Sequence, residues 1–464
     1  MPAPSRPLVI VHGYSDRGKS ASAWCRLLAR AGYDATSIHV SEYVSLSNEV
    51  TIKDIAEGFD RSLRIRAGLG ATQEFDAIVH STGMLVIRSW LTTYASRAKR
   101  LKHLIGLAPA TFGSPMAHKG RSLLGGIFKG TRRFGPDFLE AGDKVLAGLE
   151  LGSVFTWDLA HLDFVTGEPV YGPDGTTPYP FIFIGLKDYG LLKRIATEPG
   201  TDGTVRWAGA GFNTRKVAVD LTREADETEP RVKFGEWGNT DVPLVLLAEH
   251  NHGSIFGEPT DDLLQSVQEA LAVNSAADYA GWRERHQAVT EQSLSATGAH
   301  RWQQFVTHLV DERGDGISDY YVELYTRDAN GVFHEIEDFN LDFHEYREDP
   351  SFRCFHLDLD ATKVETLPNL WLRLIASSGS KLVGYHGFGS ERITPSGVPT
   401  AQEGKWDAVI DLSSNLANAE PAGLAPRFFT PFTTTLVEMK MNREPMPLDA
   451  TSPNQITWFL QEIP

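Results

Sequence analysis

Short aliphatic runs alternate with amphipathic stretches over roughly the first 270 residues of the chain. The aliphatic runs predict strands, and the longer amphipathic stretches between them predict helices. This alternation is typical of a mainly parallel sheet with helices on both faces. The predicted strands are Leu8–His12, Ala77–His80, Leu101–Ala108, Pro180–Gly185 and Val242–Ala248, and the predicted helices are Ala21–Ala31, Met84–Ala98 and Leu263–Leu271.

The pattern changes after the last predicted helix. Residues 273–300 are polar and lack apolar periodicity, so they predict a linker or a helical extension. From residue 301 onward, runs such as 320–325 alternate or are rich in β-branched and aromatic side chains, with Gly, Asn, Asp and Pro between them. The sequence therefore predicts an α/β domain over 1–272 and an all-β, sandwich-like domain over 301–464.

Length and composition are those of a globular protein. The chain has 464 residues, of which 41% are hydrophobic and 22% charged. No apolar run approaches the roughly 18 residues of a membrane-spanning helix, and the first strand begins too early to leave room for a secretory signal. We therefore expect no transmembrane segment, and a cytoplasmic location unless a signal-independent secretion system exports the chain. Cys25 and Cys354 are too few for a disulfide framework and fit a reducing compartment.

Charge is distributed unevenly along the chain. The formal net charge of −16 argues against affinity for nucleic acid. Residues 77–136, however, contain ten basic and no acidic side chains. Such a segment would favour peripheral contact with an anionic membrane surface, because each nearby Lys or Arg adds about 1 kcal/mol of attraction.

The strongest chemical signal lies inside this basic segment, where His80-Ser81-Thr82-Gly83 closes an aliphatic run and opens a helix-like stretch. A serine held in such a strand-to-helix turn projects its hydroxyl from the sheet, and the backbone N–H groups that follow can stabilise an oxyanion. Nucleophilic catalysis also needs a base for the serine and a carboxylate to orient that base. By itself, Ser81 could equally be a helix N-cap, since serine is common at that position.

The turn resembles the nucleophile elbow of the α/β-hydrolase superfamily, and more narrowly the His-Ser-x-Gly elbows of lipase-like members such as the lecithin–cholesterol acyltransferase and PGAP-type esterase groups. Val79 stands where that family usually has a small residue. The resemblance covers roughly residues 7–270 and implies the chain order serine, acid, histidine. It implies that the loop around Asp202 is the acid loop and that Glu249–Ile255 is the histidine loop.

The resemblance implies a catalytic role for three residues of this sequence. Ser81 would be the nucleophile, Asp202 the carboxylate and His252 the base. Asp188, in the same strand region as the acid loop, is the reserve for the acid. His250 competes for the role of base, but the small residues that follow His252 favour His252.

An oxyanion hole and a lid are also implied by the resemblance. His12-Gly13-Tyr14 follows the first strand, so the backbone N–H groups of Tyr14 and Thr82 would bind the developing negative charge. An insertion over about residues 112–155 mixes apolar and basic side chains and resembles a lipase lid. Its candidates for a lid or for substrate contact are Phe112, Leu123, Leu124, Ile127 and Phe128.

Two other functional classes remain open at this stage. Gly13–Ser20 satisfies the G-x-x-x-x-G-K-[ST] pattern of a phosphate-binding loop, in which Lys19 would contact phosphate, although no later strand clearly supplies the acidic residue of such a site. The chain could instead be a non-catalytic binding protein on a hydrolase scaffold. In that case Asp311, Asp315 and Asp319 could supply oxygen ligands to Ca²⁺, but a polar turn explains them equally well.

The sequence as a whole favours a serine hydrolase that cleaves carboxylic esters through an acyl-enzyme, with lipases and phospholipases as the leading classes. His252 would take the proton of Ser81, and no metal or organic cofactor is needed. The expected substrate is a lipid or another ester, and phospholipid leads because of the basic, lid-like segment. The oligomeric state and the purpose of the second domain stay open.

Overall fold

The computed structural model describes residues 6–13, 21–44, 47–93, 99–117, 142–173, 178–188, 198–224, 230–237, 241–388, 405–412, 428–445 and 456–457. The chain folds into two compact units, each assembled from several segments. The first comprises Met1–Arg215, Glu236–Trp302 and Phe432–Thr434, and the second Lys216–Gly235, Gln303–Pro431 and Thr435–Pro464.

Strands and helices of the described residues are numbered in chain order. The strands are β1 Leu8–Val11, β2 Ile38–Ser41, β3 Phe75–His80, β4 Leu101–Leu107, β5 Tyr179–Gly185, β6 Thr214–Asp220, β7 Val232–Phe234, β8 Leu244–Leu247, β9 Trp302–Asp311, β10 Tyr320–Arg327, β11 Phe333–Glu335, β12 Phe343–Glu345, β13 Phe352–Asp358, β14 Trp371–Ser377, β15 Val383–His386, β16 Lys405–Asp411 and β17 Thr434–Pro445. The α-helices are α1 Ala21–Arg30, α2 Ile52–Ile65, α3 Gly83–Thr93, α4 Asp143–Leu149, α5 Val154–Asp163, α6 Trp207–Ala210, α7 Ser254–Gly257, α8 Asp261–Leu271, α9 Ala276–Thr297 and α10 Leu359–Thr362. Within the described ranges, every helix is too short or too polar to span a bilayer.

A six-stranded parallel sheet forms the centre of the first unit, in the order β2-β1-β3-β4-β5-β8. Every residue of β1 and β5 is buried, as expected for strands covered on both faces. The predicted parallel sheet is therefore confirmed. The sequence pattern missed β2, because its four residues Ile-His-Val-Ser are only partly buried and form no aliphatic run.

The polar segment 273–300 forms the long helix α9 rather than an extended linker. The Ser275 side chain accepts a hydrogen bond from the N–H of Asp278 at its start, and Gly298 ends it in the left-handed conformation, with φ of 65°. Trp282 is fully buried and packs edge-on against Phe181 of β5. A few large aromatic contacts therefore hold a helix whose sequence has little apolar periodicity.

The second unit contains two sheets, as the β-rich texture of the sequence predicts. Antiparallel pairs join the strands of the first, in the order β11-β10-β14-β16. The second has the order β12-β13-β9-β17-β6-β7, with β15 paired to β17. Side chains from both sheets, such as Leu309 and Leu374, belong to one hydrophobic core, which is the arrangement of a sandwich.

Strands β6 and β7 lie within the predicted α/β domain along the chain, but most of their residues belong to the second unit. Their residues lie before residue 272, within the range predicted for the α/β domain. The structure pairs them with the sheet of the second unit, where the N–H of Leu221, just after β6, donates to the carbonyl of Lys440 on β17. The alternation of residues within a strand does not show which sheet the strand joins, because such a strand can pair with any sheet that has a free edge.

Two basic side chains of the segment 77–136 are buried, so they are not part of the basic surface that could contact a membrane. Arg88 is fully buried, and Arg100 donates to the backbone carbonyls of Gln73 and Leu69. These two guanidinium groups therefore add nothing to attraction for a membrane. The basic residues of the segment that the structure describes are Arg88, Lys99, Arg100 and Lys102.

Arg88 belongs to a charged network inside the first unit. Its Nε and Nη2 donate to the two carboxylate oxygens of Asp163 at 2.7 and 2.9 Å, and its Nη1 donates to the carbonyl of Thr111 at 2.6 Å. The Tyr171 hydroxyl donates to the same carboxylate, and the ring of Phe164 lies 4.2 Å from the guanidinium carbon. The network ties α3, which begins at the serine turn, to α5 and to the loop after β4.

Removing one partner of this buried pair is expected to destabilise the protein strongly. Arg88→Met leaves the Asp163 carboxylate buried without its counter-charge, which costs about 3–5 kcal/mol of the free energy of unfolding. Urea unfolding of the purified variant measures this loss.

The double variant Arg88→Met/Asp163→Leu is expected to recover part of that stability, because it removes both charges. Lys144→Met serves as the control, since Lys144 pairs with Glu49 on the exposed surface, and we expect its unfolding curve to match wild type. Equal stability of the Arg88→Met and Lys144→Met variants would contradict the prediction.

Candidate active site

Ser81 lies in a strained turn between β3 and α3. Its φ is 53°, in the left-handed region that non-glycine residues rarely adopt. The two glycines beside it leave no room for side chains: a Cβ on Gly13 would lie 2.8 Å from the Cβ of Ser81, and one on Gly83 would lie 2.6 Å from the carbonyl oxygen of Val11. The turn forms with Val79 in the position where the family has a small residue, and Val79 is fully buried in β3.

The structure brings Ser81, His252 and Asp202 into one hydrogen-bonded chain. His252 Nε2 lies 3.1 Å from Ser81 Oγ, and His252 Nδ1 lies 2.9 Å from Asp202 Oδ2. A carboxylate only accepts, so Nδ1 carries the proton and Nε2 is left to accept from the serine hydroxyl. The other oxygen of Asp202 accepts from the backbone N–H groups of Thr204 and Val205, at 3.0 and 2.8 Å.

Asp202 and His252 come from loops at the carboxyl ends of the sheet strands. The N–H of His252 donates to the carbonyl of Asp202 at 3.0 Å, so the acid loop also holds the histidine by its backbone. All three side chains of the triad are nearly inaccessible to solvent. Burial in a low-dielectric environment strengthens the electrostatic interactions between them.

The residues that competed for the same roles lie elsewhere. His250 Nε2 lies 3.2 Å from the hydroxyl of Thr260, and burial together with the nearby Lys187 lowers the pKa of His250. Asp188 lies on the exposed loop after β5, whereas the imidazole of His252 is bonded to Asp202. The geometry thus selects His252 rather than His250 as the base, and Asp202 rather than Asp188 as the acid.

A close approach between β5 and the histidine loop positions His252. A Cβ on Gly185 would overlap the carbonyl oxygen of His250 and lie 2.9 Å from the backbone nitrogen of Asn251. The N–H of Lys187 donates to that carbonyl at 2.9 Å. Only glycine allows the loop to pack this closely against the end of the strand.

Gly185→Ala is therefore expected to reduce activity by displacing the histidine loop. A shift of about 1 Å in a catalytic group can lower the rate by about 10²-fold, and we expect kcat to fall by roughly 10- to 100-fold. Steady-state assays with a soluble ester measure this loss. Gly257→Ala is the control, because a Cβ there meets no atom within 4 Å; equal activity of the two variants would contradict the argument.

The predicted oxyanion and lid residues are only partly described. Thr82 is fully buried, directly after the serine, at the start of α3, where unpaired backbone N–H groups favour negative charge. Phe112 is also buried and packs against Phe164, so it is an interior residue rather than part of an exposed lid. Tyr14, Leu123, Leu124, Ile127 and Phe128 lie outside the described residues, as do positions 14–20 of the predicted phosphate-binding loop.

The acidic turn of the second unit has a structural role. Asp311 is fully buried, and its Oδ1 accepts from the backbone N–H groups of Arg313 and Asp315 at 2.9 and 3.0 Å. Asp315 and Asp319 are exposed. In the part of the chain that the structure describes, no group of three or more His, Cys, Asp or Glu side chains could hold a metal ion.

Comparison with known proteins gives matches of structure but not of sequence. No protein-family model and no curated protein sequence matches the chain. Phospholipase PlaB from Legionella pneumophila is similar over 97% of both chains, at 22% identity and a TM-score of 0.76. The same enzyme in complex with thio-NAD has a TM-score of 0.74, at 22% identity and 97% coverage of both chains. Together with the parallel sheet and the serine turn, this likeness shows that the chain has an α/β-hydrolase fold.

Proposed function

We propose that the protein is a serine hydrolase that cleaves carboxylic esters through an acyl-enzyme. The observation that carries this proposal is the continuous hydrogen-bonded chain from Ser81 Oγ through His252 to Asp202, with links of 3.1 and 2.9 Å. These residues come from three separate loops of the sheet. A strained serine bonded to a neutral histidine that is oriented by a buried carboxylate is the arrangement that activates a hydroxyl as a nucleophile.

Each proton transfer in the reaction has a donor and an acceptor in this arrangement. His252 Nε2 takes the Ser81 proton as Oγ attacks the ester carbonyl, and the tetrahedral oxyanion lies near the amide of Thr82. The imidazolium then gives its proton to the leaving alkoxide, which departs as an alcohol. Water then gives a proton to His252 Nε2 as it attacks the acyl-enzyme, the bond from the acyl carbon to Ser81 Oγ breaks, and the imidazolium returns its proton to Oγ as the carboxylic acid leaves. Asp202 holds the imidazole in this orientation throughout, because its carboxylate is itself fixed by hydrogen bonds from two backbone N–H groups.

Phospholipids are the substrate class that we propose. The first support is the similarity, over nearly the whole chain, to a protein that is a phospholipase. The second is the run of basic side chains over residues 77–136, from which Arg88 and Arg100 must be subtracted because they are buried. The remaining cations would attract an anionic lipid surface.

A covalent probe and a set of lipid substrates test the two levels of this proposal. A fluorophosphonate should label the wild-type protein once, and peptide mapping should place the adduct on Ser81. Absence of label, or label elsewhere, would overturn the serine hydrolase assignment.

Release of fatty acid from anionic vesicles, zwitterionic vesicles, a neutral glyceride emulsion and a short soluble ester then identifies the substrate class. We expect the fastest release from anionic phospholipid vesicles, with a rate that falls as salt is added. If only the soluble ester is hydrolysed, the protein is an esterase and the proposal that phospholipids are its substrates is overturned. Equal vesicle rates with no salt effect would overturn the electrostatic part.

A further inference from the structure

His80 lies directly before Ser81 at the end of β3, and its side chain is not part of the triad. Its Nε2 lies 3.0 Å from the backbone carbonyl oxygen of His252. A carbonyl oxygen only accepts hydrogen bonds, so Nε2 carries the proton and donates it. The residue before the nucleophile is thus bonded to the backbone of the residue that serves as base, across 172 positions of sequence.

Close packing holds the ring of His80 in this orientation. It stacks on Phe256, with ring centroids 4.7 Å apart and an angle of 10° between the planes. The ring of His252 lies against it at 4.9 Å, tilted by 44°. On the other side, a Cβ on Gly13 would lie 3.4 Å from Nδ1, so the backbone of the β1 loop closes that edge of the ring.

The surroundings of His80 keep it neutral. Burial, repulsion from His252 and, to a smaller extent, from His12 hold the pKa of His80 well below its usual range, although the bond to the carbonyl acts in the opposite direction. His252 must gain and lose a proton in each turnover. A neutral neighbour can hold its backbone without placing a second positive charge beside the imidazolium that forms.

The backbone of His252 is therefore held on both sides. Its N–H donates to the carbonyl of Asp202 at 3.0 Å, and its carbonyl accepts from His80. The first bond links the base to the acid loop, and the second links it to the serine turn. Together these two backbone bonds set the position of the imidazole relative to Ser81 Oγ. Without them, only the hydrogen bonds of the His252 side chain would hold the ring in place.

We propose that His80 is a positioning residue of the reaction, whose Nε2–H holds the His252 carbonyl so that the imidazole stays within hydrogen-bonding distance of the Ser81 hydroxyl. This inference rests on the proposed serine hydrolase function. It predicts that the N–H donor at this position matters, rather than the aromatic ring or its volume.

Two substitutions separate donation from packing. His80→Leu keeps an apolar side chain against Phe256 and donates nothing. His80→Gln carries an amide N–H at about the same distance from the backbone as imidazole Nε2. We expect His80→Leu to lower kcat by roughly 10- to 100-fold, as for a misplaced base, with KM within about threefold of wild type. We expect His80→Gln to recover kcat to within about threefold of wild type.

Two further measurements report on the chemistry rather than on the fold. The second-order rate of fluorophosphonate labelling at Ser81 should fall in His80→Leu by the same factor as kcat, because both depend on the same proton transfer. The downfield proton signal of His252 Nδ1–H should shift or broaden in His80→Leu and return in His80→Gln. Thermal unfolding of each variant shows whether it is folded.

A matched control lies on α9. His286 is a buried histidine that, like His80, donates from a ring nitrogen to a backbone carbonyl, that of Trp282 at 2.9 Å, and desolvation likewise lowers its pKa. Within the described residues, its ring contacts are with Phe183 and Trp282, and neither these contacts nor its hydrogen bond involve a residue of the triad. His286→Leu is therefore expected to leave kcat and the labelling rate unchanged. If His80→Leu does not fold, His80→Phe, which keeps a ring against Phe256, replaces it.

The outcomes distinguish this inference from the function on which it rests. If the wild-type protein is not labelled at Ser81, the proposed function fails and this inference fails with it. If wild type is labelled and His80→Leu is as fast as wild type, only the inference is overturned. It is also overturned if His80→Gln loses as much activity as His80→Leu, or if the loss lies entirely in KM.

Discussion

Replacement of Ser81 by alanine is expected to lower kcat for ester hydrolysis by about 10⁶-fold. The change removes the nucleophile but keeps a Cβ at this position, where φ is 53°. The hydroxyl is bonded to His252 Nε2 at 3.1 Å, so the loss of that oxygen ends the covalent route and leaves His252 with nothing to activate except water. Roughly 10³- to 10⁴-fold acceleration over water should remain, from substrate binding and oxyanion stabilisation.

Initial rates with a soluble chromogenic ester, followed to long times in the variant, measure this effect. Ser89→Ala is the matched control, because Ser89 is another buried serine, on α3, and has no link to the triad in the described residues. The control should keep full activity and full fluorophosphonate labelling. A Ser81→Ala protein that retained even about one hundredth of the wild-type rate would be incompatible with an acyl-enzyme at this residue.

Asp202→Asn is expected to produce the second largest loss, of about 10⁴-fold in kcat. Asparagine can still accept the backbone N–H groups of Thr204 and Val205 through its carbonyl oxygen, so the loop should keep its shape. Its amide then presents N–H groups to His252 Nδ1, which must accept. The imidazole proton moves to Nε2, and the ring can no longer take the proton of Ser81.

The kinetic signature of this change is a fall in kcat with little change in KM, because the substrate does not contact the carboxylate in the proposed mechanism. Asp188→Asn is the control, since Asp188 lies on the exposed loop after β5 and was the other candidate for the acid. We expect it to behave as wild type. Loss of activity in Asp188→Asn, with Asp202→Asn unaffected, would reverse the assignment of the acid.

Several parts of the fold could be predicted because burial on both faces of a parallel strand leaves a direct mark on the sequence. β1 is aliphatic throughout, and β3, β4 and β5 each contain a run of apolar residues, which is the pattern of strands with helices on each side. β2 was not predicted from the sequence, because its residues are partly exposed and form no aliphatic run. The helix α9 was predicted only as one of two alternatives, a linker or a helical extension, because its stability comes from end caps and a few aromatic contacts rather than from an apolar stripe.

The charged interior was harder to predict. Arg88 is one of ten basic residues in the segment 77–136, and nothing in the sequence separates it from a residue such as Lys99, which is exposed. Its partner Asp163 is 75 residues away in sequence, on α5. A buried ion pair of this kind leaves no periodic signal, because the two charges only meet after both helices have packed.

The amino-acid sequence by itself determined the order of the catalytic segments along the chain. A serine in a strand-to-helix turn comes first, then an acid loop and then a histidine loop, and each can be identified from its own few residues. The sequence also favoured Asp202 over Asp188 and His252 over His250. Only the tertiary structure decided that these side chains meet at the serine, that His80 bonds to the backbone of His252, and that β6 and β7 join the second unit. The physical reason is range. Turns and strands arise from interactions between neighbouring residues, whereas a hydrogen bond of about 3 Å between distant loops depends on how the whole sheet twists and packs.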